Sequence, residues 1–361
     1  MIIENINFKI KGALLGGAIG DALGYQIEFE RGIKEREVTR FLNKGIISDD
    51  TQMTLFTANA ILNRETRANL RGIAYPISHA IYLGYLDWLD TQMNRNNHER
   101  YCWIKEIKEL NARRAPGNTC ISALSSGIQG TIGNPINNSK GCGGVMRVAP
   151  IGLYYKDIDM VGILAAEASA ITHGHPLGII PSFVFAVVIC SIVRNNSTIE
   201  EALNIAMEKL SEKSDIFDSK YIDEFKNIID KAIKLSKVNL SDIESISKIG
   251  EGWVAEEAFA IAIYSCLKYP NSFEDAVVCA INHDGDSDST GSIAGNIIGA
   301  SLGVESIPDY YLDNLELRDI IEELSDDLSI TVSMSENSNN RDDYWSSKYC
   351  HYKRDLSKKN V

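Results

Sequence analysis

The sequence contains no CxxC pair, and its seven cysteines (Cys102, Cys120, Cys142, Cys190, Cys266, Cys279 and Cys350) are odd in number and scattered. Neither a disulfide framework nor a thiolate zinc site fits that pattern, and a chain kept in a reducing cytoplasm does. Basic charge is also short: 36 Lys and Arg face 49 Asp and Glu, a formal net charge of -13. A broad field that attracts nucleic acid or an anionic membrane is therefore excluded, while a local basic pocket for a phosphate is not. The N-terminus, Met1-Ile2-Ile3-Glu4-Asn5, lacks a basic segment followed by an apolar run. The longest apolar segments are interrupted by Asp, Asn or Gly, so the expectation is a cytoplasmic protein without a membrane span. Strand signals are scarce and no βαβ alternation occurs, whereas helical periodicity recurs throughout; the expected fold class is all-α.

What the chain does have is acid in two places. His283-Asp284-Gly285-Asp286-Ser287-Asp288-Ser289-Thr290-Gly291 packs three carboxylates and several hydroxyls into nine residues and runs into an apolar, glycine-studded segment. On a turning backbone Asp286 and Asp288 can converge on one hard cation, with Ser289 or Thr290 adding a neutral oxygen. The same residues also make a good helix cap. An EF-hand is excluded by register, because counting from Asp284 puts Ser289 where glycine is required and Gly295 where a bidentate Glu should stand. Far upstream, Ser48-Asp49-Asp50-Thr51 repeats the composition at a second predicted helix start, so the two clusters can build one site.

Glycine carries the third pattern. Gly12, Gly16, Gly20 and Gly24 recur every four residues, and Gly291, Gly295, Gly299 and Gly303 repeat the spacing. In a helix each costs on the order of 1 kcal/mol relative to alanine, so an unusually close neighbour must offset them. Two buried, tightly packed helices are predicted, with Asp21 as a helix-interior carboxylate holding a structural partner. Glu28 either faces what the 48–51 loop binds or is an exposed loop acid. Helical patterns are read over 76–110, over 165–170, in a charged scaffold over 197–250, and over 255–267 and 274–282; Pro176 and Pro181 are read as bracketing an apolar core helix over 183–193.

Two glycine-bearing loops, 113–119 and 139–147, can bring backbone N–H groups round a phosphate, with Lys140 or Arg147 adding charge. His173 and His175 suit hydrogen bonding to a ligand better than metal ligation, since oxygen ligands dominate elsewhere. Trp253, at a glycine hinge, reads either as a core aromatic or as a stacking surface. Residues 1–330 are read as one domain. The segment 331–361 starts as a polar link around 333–340, and its Tyr344, Trp345, Tyr349 and Tyr352 suggest a tail that docks back.

Taken in order, Gly12-Ala13-Leu14-Leu15-Gly16, Gly20-Asp21-Ala22-Leu23-Gly24, Glu28, Ser48-Asp49-Asp50-Thr51, Gly117-Asn118-Thr119, Gly141-Cys142-Gly143-Gly144-Val145-Met146-Arg147, Thr172-His173, Gly252-Trp253 and Gly285-Asp286-Ser287-Asp288-Ser289 resemble the ADP-ribosylglycohydrolase family. The resemblance covers about residues 10 to 305 and embraces dinitrogenase reductase-activating glycohydrolase and the ADP-ribosylarginine hydrolases. It implies a compact single-domain helical bundle carrying two Mg²⁺ ions, with Ser48, Asp49, Asp50, Asp286, Asp288 and Ser289 as ligands. Serine stands at 48 and 289 where the family often has threonine, which keeps the hydroxyl and loses the methyl. The resemblance further implies that Ser139, Lys140, Gly141, Cys142, Gly143 and Gly144 hold a diphosphate, His173 a ribose or phosphate, and Trp253 the distal ribose or adenine side.

Asn118 and Thr119 belong to the same implied substrate site, and Glu28 to an acid near the metal centre. Asp49 or Asp50 would orient the attacking water, with Glu28 as competitor. The implied activity is removal of ADP-ribose from modified protein side chains, most simply arginine, reversing a regulatory modification or neutralising an ADP-ribosylating toxin. The expected partners are the ADP-ribosylated protein and, in that second setting, the transferase toxin; the chain is expected to be a monomer without nucleic acid or membrane. The competing expectation is a non-catalytic ADP-ribose binder or an immunity protein that occludes a transferase.

Overall fold

In the computed structural model, residues 2–29, 37–330 and 342–351 are described. From the N-terminus the helices are α1 (Ile2–Tyr25), α2 (Asp49–Arg71), α3 (Ile77–Gln92) and the short α4 (Asn118–Ser125). The middle of the chain forms α5 (Ala149–Tyr154), α6 (Ile158–Ala170) and α7 (Pro176–Asn195). An outer layer follows with α8 (Ile199–Ser211), α9 (Ser219–Ser236) and α10 (Asp242–Ile249), and then α11 (Ala255–Lys268), α12 (Phe273–Ile281) and α13 (Ser287–Leu302) lead back inside. The chain closes with α14 (Asp309–Leu312), α15 (Arg318–Ser329) and α16 (Asp343–Cys350). Among the described residues β-pairing is limited to two isolated bridges, Gly45 with Leu315 and Gly141 with Val254.

The glycine ridges decide which helices touch. α1 and α13 run antiparallel, with Gly12 against Gly299, Gly16 against Gly295, Gly20 against Gly291 and Gly24 against Ser287. A Cβ on Gly16 would lie 2.4 Å from the Gly295 carbonyl oxygen, and one on Gly20 would lie 2.0 Å from that of Gly291. Backbone therefore meets backbone along the whole seam, and the dispersion attraction between the two helices offsets the helix-propensity cost of each glycine. α7 is the second central element: every residue from Leu177 to Val193 is buried. By length and composition α7 could cross a membrane, but it is packed inside the protein. In the outer layer α8 and α10 turn charged faces outward, and each starts with a reciprocal cap, Thr198 with Glu201 and Ser241 with Glu244.

Two predicted elements differ. The segment read as helical over 76–110 ends its α-helix at Gln92 and continues as irregular chain with two 3₁₀ turns, Trp103–Glu106 and Lys108–Asn111. Buried Asp87 and Asp90 hold that chain: Asp87 Oδ2 accepts the N–H groups of Tyr101 and Cys102, both at 2.7 Å, and Lys105 pairs with both carboxylates. The helix read over 183–193 begins already at Pro176, and Pro181 does not bound it but lies inside α7. A single missing N–H costs less there than the all-round burial of the helix gains. Near the C-terminus α16 packs on α2 and α15, with the Trp345 indole donating to Thr66 Oγ1 at 2.8 Å and Lys348 paired with Glu323 and Asp327. The polar link at 333–340 and Tyr352 lie outside the described residues.

Candidate functional site

The first half of the site grows from the start of α2. Ser48 is its N-cap, with Oγ accepting the Asp50 N–H at 3.2 Å. Asp49 and Asp50 follow in the first turn, where the helix dipole favours carboxylates. Behind them Asp21, fully buried in α1, accepts the Ser48 N–H at 3.0 Å and the Thr51 N–H at 3.1 Å, as well as the Thr51 hydroxyl. Asp49 Oδ2 receives the Gly117 N–H at 3.2 Å, which ties the 113–117 loop to the site, and Arg114 secures that loop on Glu316 and the Ile47 carbonyl.

The second half is the start of α13, delivered by the glycine seam. Asp286 caps the helix by accepting the Ser289 N–H at 3.3 Å, and Asp288 accepts the same N–H at 2.9 Å. The Cys142 thiol donates to Asp286 Oδ2 at 2.6 Å. Ligand oxygens of Glu28, Asp286 and Asp288 all lie within 4.8 Å of one another. Burial among like charges raises the pKa of a carboxylate. Burial, then Asp288, raises Asp21 to about 7. Burial and the carboxylates of Asp288, Asp286, Asp49 and Asp21 raise Glu28 to about 10. Asp49, Asp50 and Asp286 are pushed well above the usual carboxylate range by burial first and Asp288 second. Asp50 Oδ1 and Glu28 Oε2 are buried without a hydrogen-bond partner.

Orphaned oxygens among mutually repelling acids are what a hard divalent cation repairs, and an all-oxygen donor set fits Mg²⁺. No histidine joins the three-acid group. His175 instead caps α7, taking the Leu177 N–H on Nδ1 at 3.1 Å.

The glycine loop lies on the other flank. Asn137 laces it down: its Oδ1 accepts the N–H groups of Ser139 and Gly174, both at 3.0 Å, and its Nδ2 donates to the Thr172 carbonyl at 2.7 Å. Ser139 Oγ sits 3.2 Å from Thr119 Oγ1, and the Cys142 N–H donates to the Trp253 carbonyl at 3.2 Å. Buried His173 has its Nε2 beside Gly141 and Gly143. The Thr172 hydroxyl accepts from Arg147 at 2.6 Å and lies 2.8 Å from His173 Nδ1, so its proton goes to that nitrogen. His173 Nε2 is then the N–H edge facing the loop. Burial and neighbouring Arg147 hold the ring neutral, with its pKa lowered to about 3.

Among the remaining sequence candidates, Lys140 points its ammonium at Glu256, Gly144 packs on Ser169, Asn118 is exposed at the start of α4, and Trp253 is 43 % exposed. Asn137 is the contributor that was missed, while two named residues have a further part: Cys142 also gives its thiol to Asp286, and Arg147, read as adding charge to the loop, is a fully buried guanidinium stacked 4.2 Å over the Tyr85 ring. Only the polar character of Asn137 beside a run of glycines offered a signal for it.

An all-helical domain whose paired glycine helices close two acidic helix starts over one centre belongs to a recognisable class. The profile of the ADP-ribosylglycohydrolase family matches residues 4–338, and the chain belongs to that family. This makes it a hydrolase of ADP-ribosyl linkages. The chain is similar to "ADP-ribosylhydrolase ARH1" of Dictyostelium discoideum, with 26% identity over 91% of this chain and 95% of that one. It is also similar to "ADP-ribosylhydrolase ARH3" of Bos taurus, with 28% identity over 49% of this chain and 54% of that one. A solved "ADP-ribosylglycohydrolase-related protein complex" shares the fold, with a TM-score of 0.64 and 22% identity over 92% of this chain and 100% of that chain.

Proposed function

We propose that the protein is a magnesium-dependent hydrolase that removes ADP-ribose from modified protein side chains, arginine foremost, by cleavage at the anomeric carbon of the ribose. The observation that carries this reading is the meeting of Glu28, Asp286 and Asp288 within 4.8 Å, beside Asp50 with its partnerless oxygen. Ser48, Asp49, Asp50, Asp286, Asp288 and Ser289 would hold two Mg²⁺ ions, whose chemistry there is to anchor ribose hydroxyls and acidify a water. Among the carboxylates that can orient this water, Asp49 already commits one oxygen to the Gly117 N–H, whereas Asp50 and Glu28 each keep a buried oxygen free. That supports Asp50 or Glu28 as the group that accepts the water proton while the anomeric carbon passes through an oxocarbenium-like state.

The remaining residues bind and orient. Backbone N–H groups of the 139–144 loop other than those of Ser139, Gly141 and Cys142, which bond within the protein, take the diphosphate, the His173 N–H edge takes a ribose or phosphate oxygen, and the exposed Trp253 ring offers a flat face to the distal ribose or adenine. Thr119 and Asn118 border the same opening. Five carboxylates against two divalent ions leave the centre negative, which suits a cationic guanidinium leaving group. An occluding role draws no support from the tail helix: Thr66, where it docks, is sixteen residues beyond Asp50, roughly 24 Å along α2. The deciding assay incubates the protein with arginine-linked and serine-linked ADP-ribosylated substrates, with Mg²⁺ or with a chelator. Release of ADP-ribose from the arginine-linked substrate, lost on chelation, is expected; no release from either substrate defeats the proposal. In a cell the reaction would end a regulatory modification or undo a toxin's.

A further inference from the structure

Buried His173 lies against the glycine loop with little slack: a Cβ on Gly141 would stand 3.4 Å from its Nε2, and one on Gly143 would stand 3.2 Å from its Cε1. The separation of ring and loop therefore decides whether one ligand oxygen can be reached from both. The two belong to different segments, the loop to 139–144 and the histidine to the turn that follows α6. One main-chain bond joins them, from the His175 N–H to the Ser139 carbonyl at 3.2 Å. Three more pass through a single side chain, that of Asn137.

The residues on either side of the histidine both end on the Asn137 amide. The carbonyl of Thr172, before it, accepts from Nδ2 at 2.7 Å, and the N–H of Gly174, after it, donates to Oδ1 at 3.0 Å. The same Oδ1 takes the Ser139 N–H at 3.0 Å, so the first residue of the loop and both neighbours of His173 share one planar group. Turned over, that amide would set its NH₂ against two N–H groups and its oxygen against a carbonyl; the three bonds admit one orientation only. Aspartate has no donor for Thr172, and alanine supplies neither end. Gly174 completes the fit, because a Cβ there would lie 2.1 Å from the Asn137 carbonyl oxygen. The two segments already touch through their main chains and cannot close further to replace lost bonds; they can only drift apart.

We propose that Asn137 is a positioning residue for ligand recognition: by holding both neighbours of His173 to the first residue of the glycine loop, it sets the imidazole N–H edge and the loop at the one separation that grips the ADP-ribosyl group between them. The inference rests on the proposed reading in which His173 and the 139–144 loop hold that group. Asn137 itself bonds only main-chain atoms, so it acts through His173 and not on the ligand. A binding constellation tolerates displacements of only about 0.5 Å, which is why a side chain one step behind the contact surface can govern affinity.

A double-mutant cycle tests this without turnover, by isothermal titration of ADP-ribose into the Mg²⁺-loaded full chain. Asn137→Ala should bind ADP-ribose roughly tenfold more weakly than wild type, whereas in a His173→Ala background the same change should cost less than about twofold. Mg²⁺ affinity, titrated separately, should be the same with and without Asn137→Ala. Should the alanine variant fail to fold, Asn137→Asp keeps the acceptor for Ser139 and Gly174 and loses only the donor to Thr172; the cycle reads coupling, so the added charge, present in both backgrounds, cancels. Wild-type affinity in Asn137→Ala, an equal loss in both backgrounds, or a parallel loss of Mg²⁺ affinity overturns the proposal. A wild-type chain that does not bind ADP-ribose overturns it too, even where turnover keeps the hydrolase reading. Should ADP-ribose bind with the expected coupling and release fail on both substrates, the catalytic reading falls and the role of Asn137 stands.

Discussion

The carboxylate of Asp21 reaches from α1 to the backbone N–H of Ser48, at 3.0 and 3.1 Å from its two oxygens. It thereby fixes the N-cap from which Asp49 and Asp50 project, although it sits outside the ligand group itself. Asp21→Ala strands the N–H groups of Ser48 and Thr51 in a buried place, at about 1–3 kcal/mol for each donor left unsatisfied. Urea unfolding should register that loss, and titration of the folded variant should show weaker Mg²⁺ binding. Unchanged Mg²⁺ affinity would make Asp21 a brace for the fold alone.

Gly20→Ala places a Cβ 2.0 Å from the Gly291 carbonyl oxygen. Backbone cannot move aside as a flexible side chain does, so overpacking should cost about 3 kcal/mol or more. Glycine-to-alanine at Gly72, where nothing lies within 4 Å of the new methyl, tests strain at positive φ without any clash. A denaturation midpoint that falls much further for Gly20→Ala than for Gly72→Ala is the expected result.

Asp286→Ala removes a candidate ligand, the cap of α13 and the acceptor of the Cys142 thiol together. ADP-ribose release should fall to background with Mg²⁺ present. Near-normal turnover in that variant contradicts the two-metal reading.

The acids of the centre also set a pH dependence. The folded pKa values of Asp21 and Glu28 are raised, to about 7 and about 10, so the contribution of these two acids to stability is complete below the ordinary carboxylate values. It is lost as pH rises through those folded values. A bound divalent cation takes the place of the protons. The melting temperature gained on adding Mg²⁺ should therefore widen from pH 5 to pH 8, and calorimetry in buffers of different ionisation enthalpy should detect proton release on Mg²⁺ binding. A gain that is flat across this range would argue against direct ligation by these acids.

Thr172→Val keeps the shape of the side chain and breaks the link from Arg147 to His173. With the proton of the imidazole no longer directed to Nε2, ADP-ribose should bind roughly tenfold more weakly. Isothermal titration separates this from a folding defect when Thr172→Ser, which retains the hydroxyl, restores affinity.

Much of the architecture was legible because it is written in local periodicity. Glycine every fourth residue in two segments announced a close helix pair, and Ser-Asp-Asp-Thr and Asp-Ser-Asp-Ser announced two acidic helix starts. What escaped was set by partners distant in sequence. The chain after Gln92 is irregular because Asp87 and Asp90 outcompete a helix for its N–H groups, and neither acid differs locally from a surface residue. The Cys142 thiol looked like a member of a backbone loop, and its bond to Asp286 depends on where α13 lands. Pro181 carried a strong local signal for a helix boundary, yet burial on all sides of α7 overrode it.

The pairing of Gly20 with Gly291 also has a temporal meaning. About three quarters of the sequence separates the two residues, so during synthesis the acids of α1 and α2 leave the ribosome long before Asp286 and Asp288 exist. A nascent chain can carry only half a centre, and the bare glycine face of α1 must wait for its match. The candidate centre is thus completed only when α13 emerges, as a single late event in synthesis.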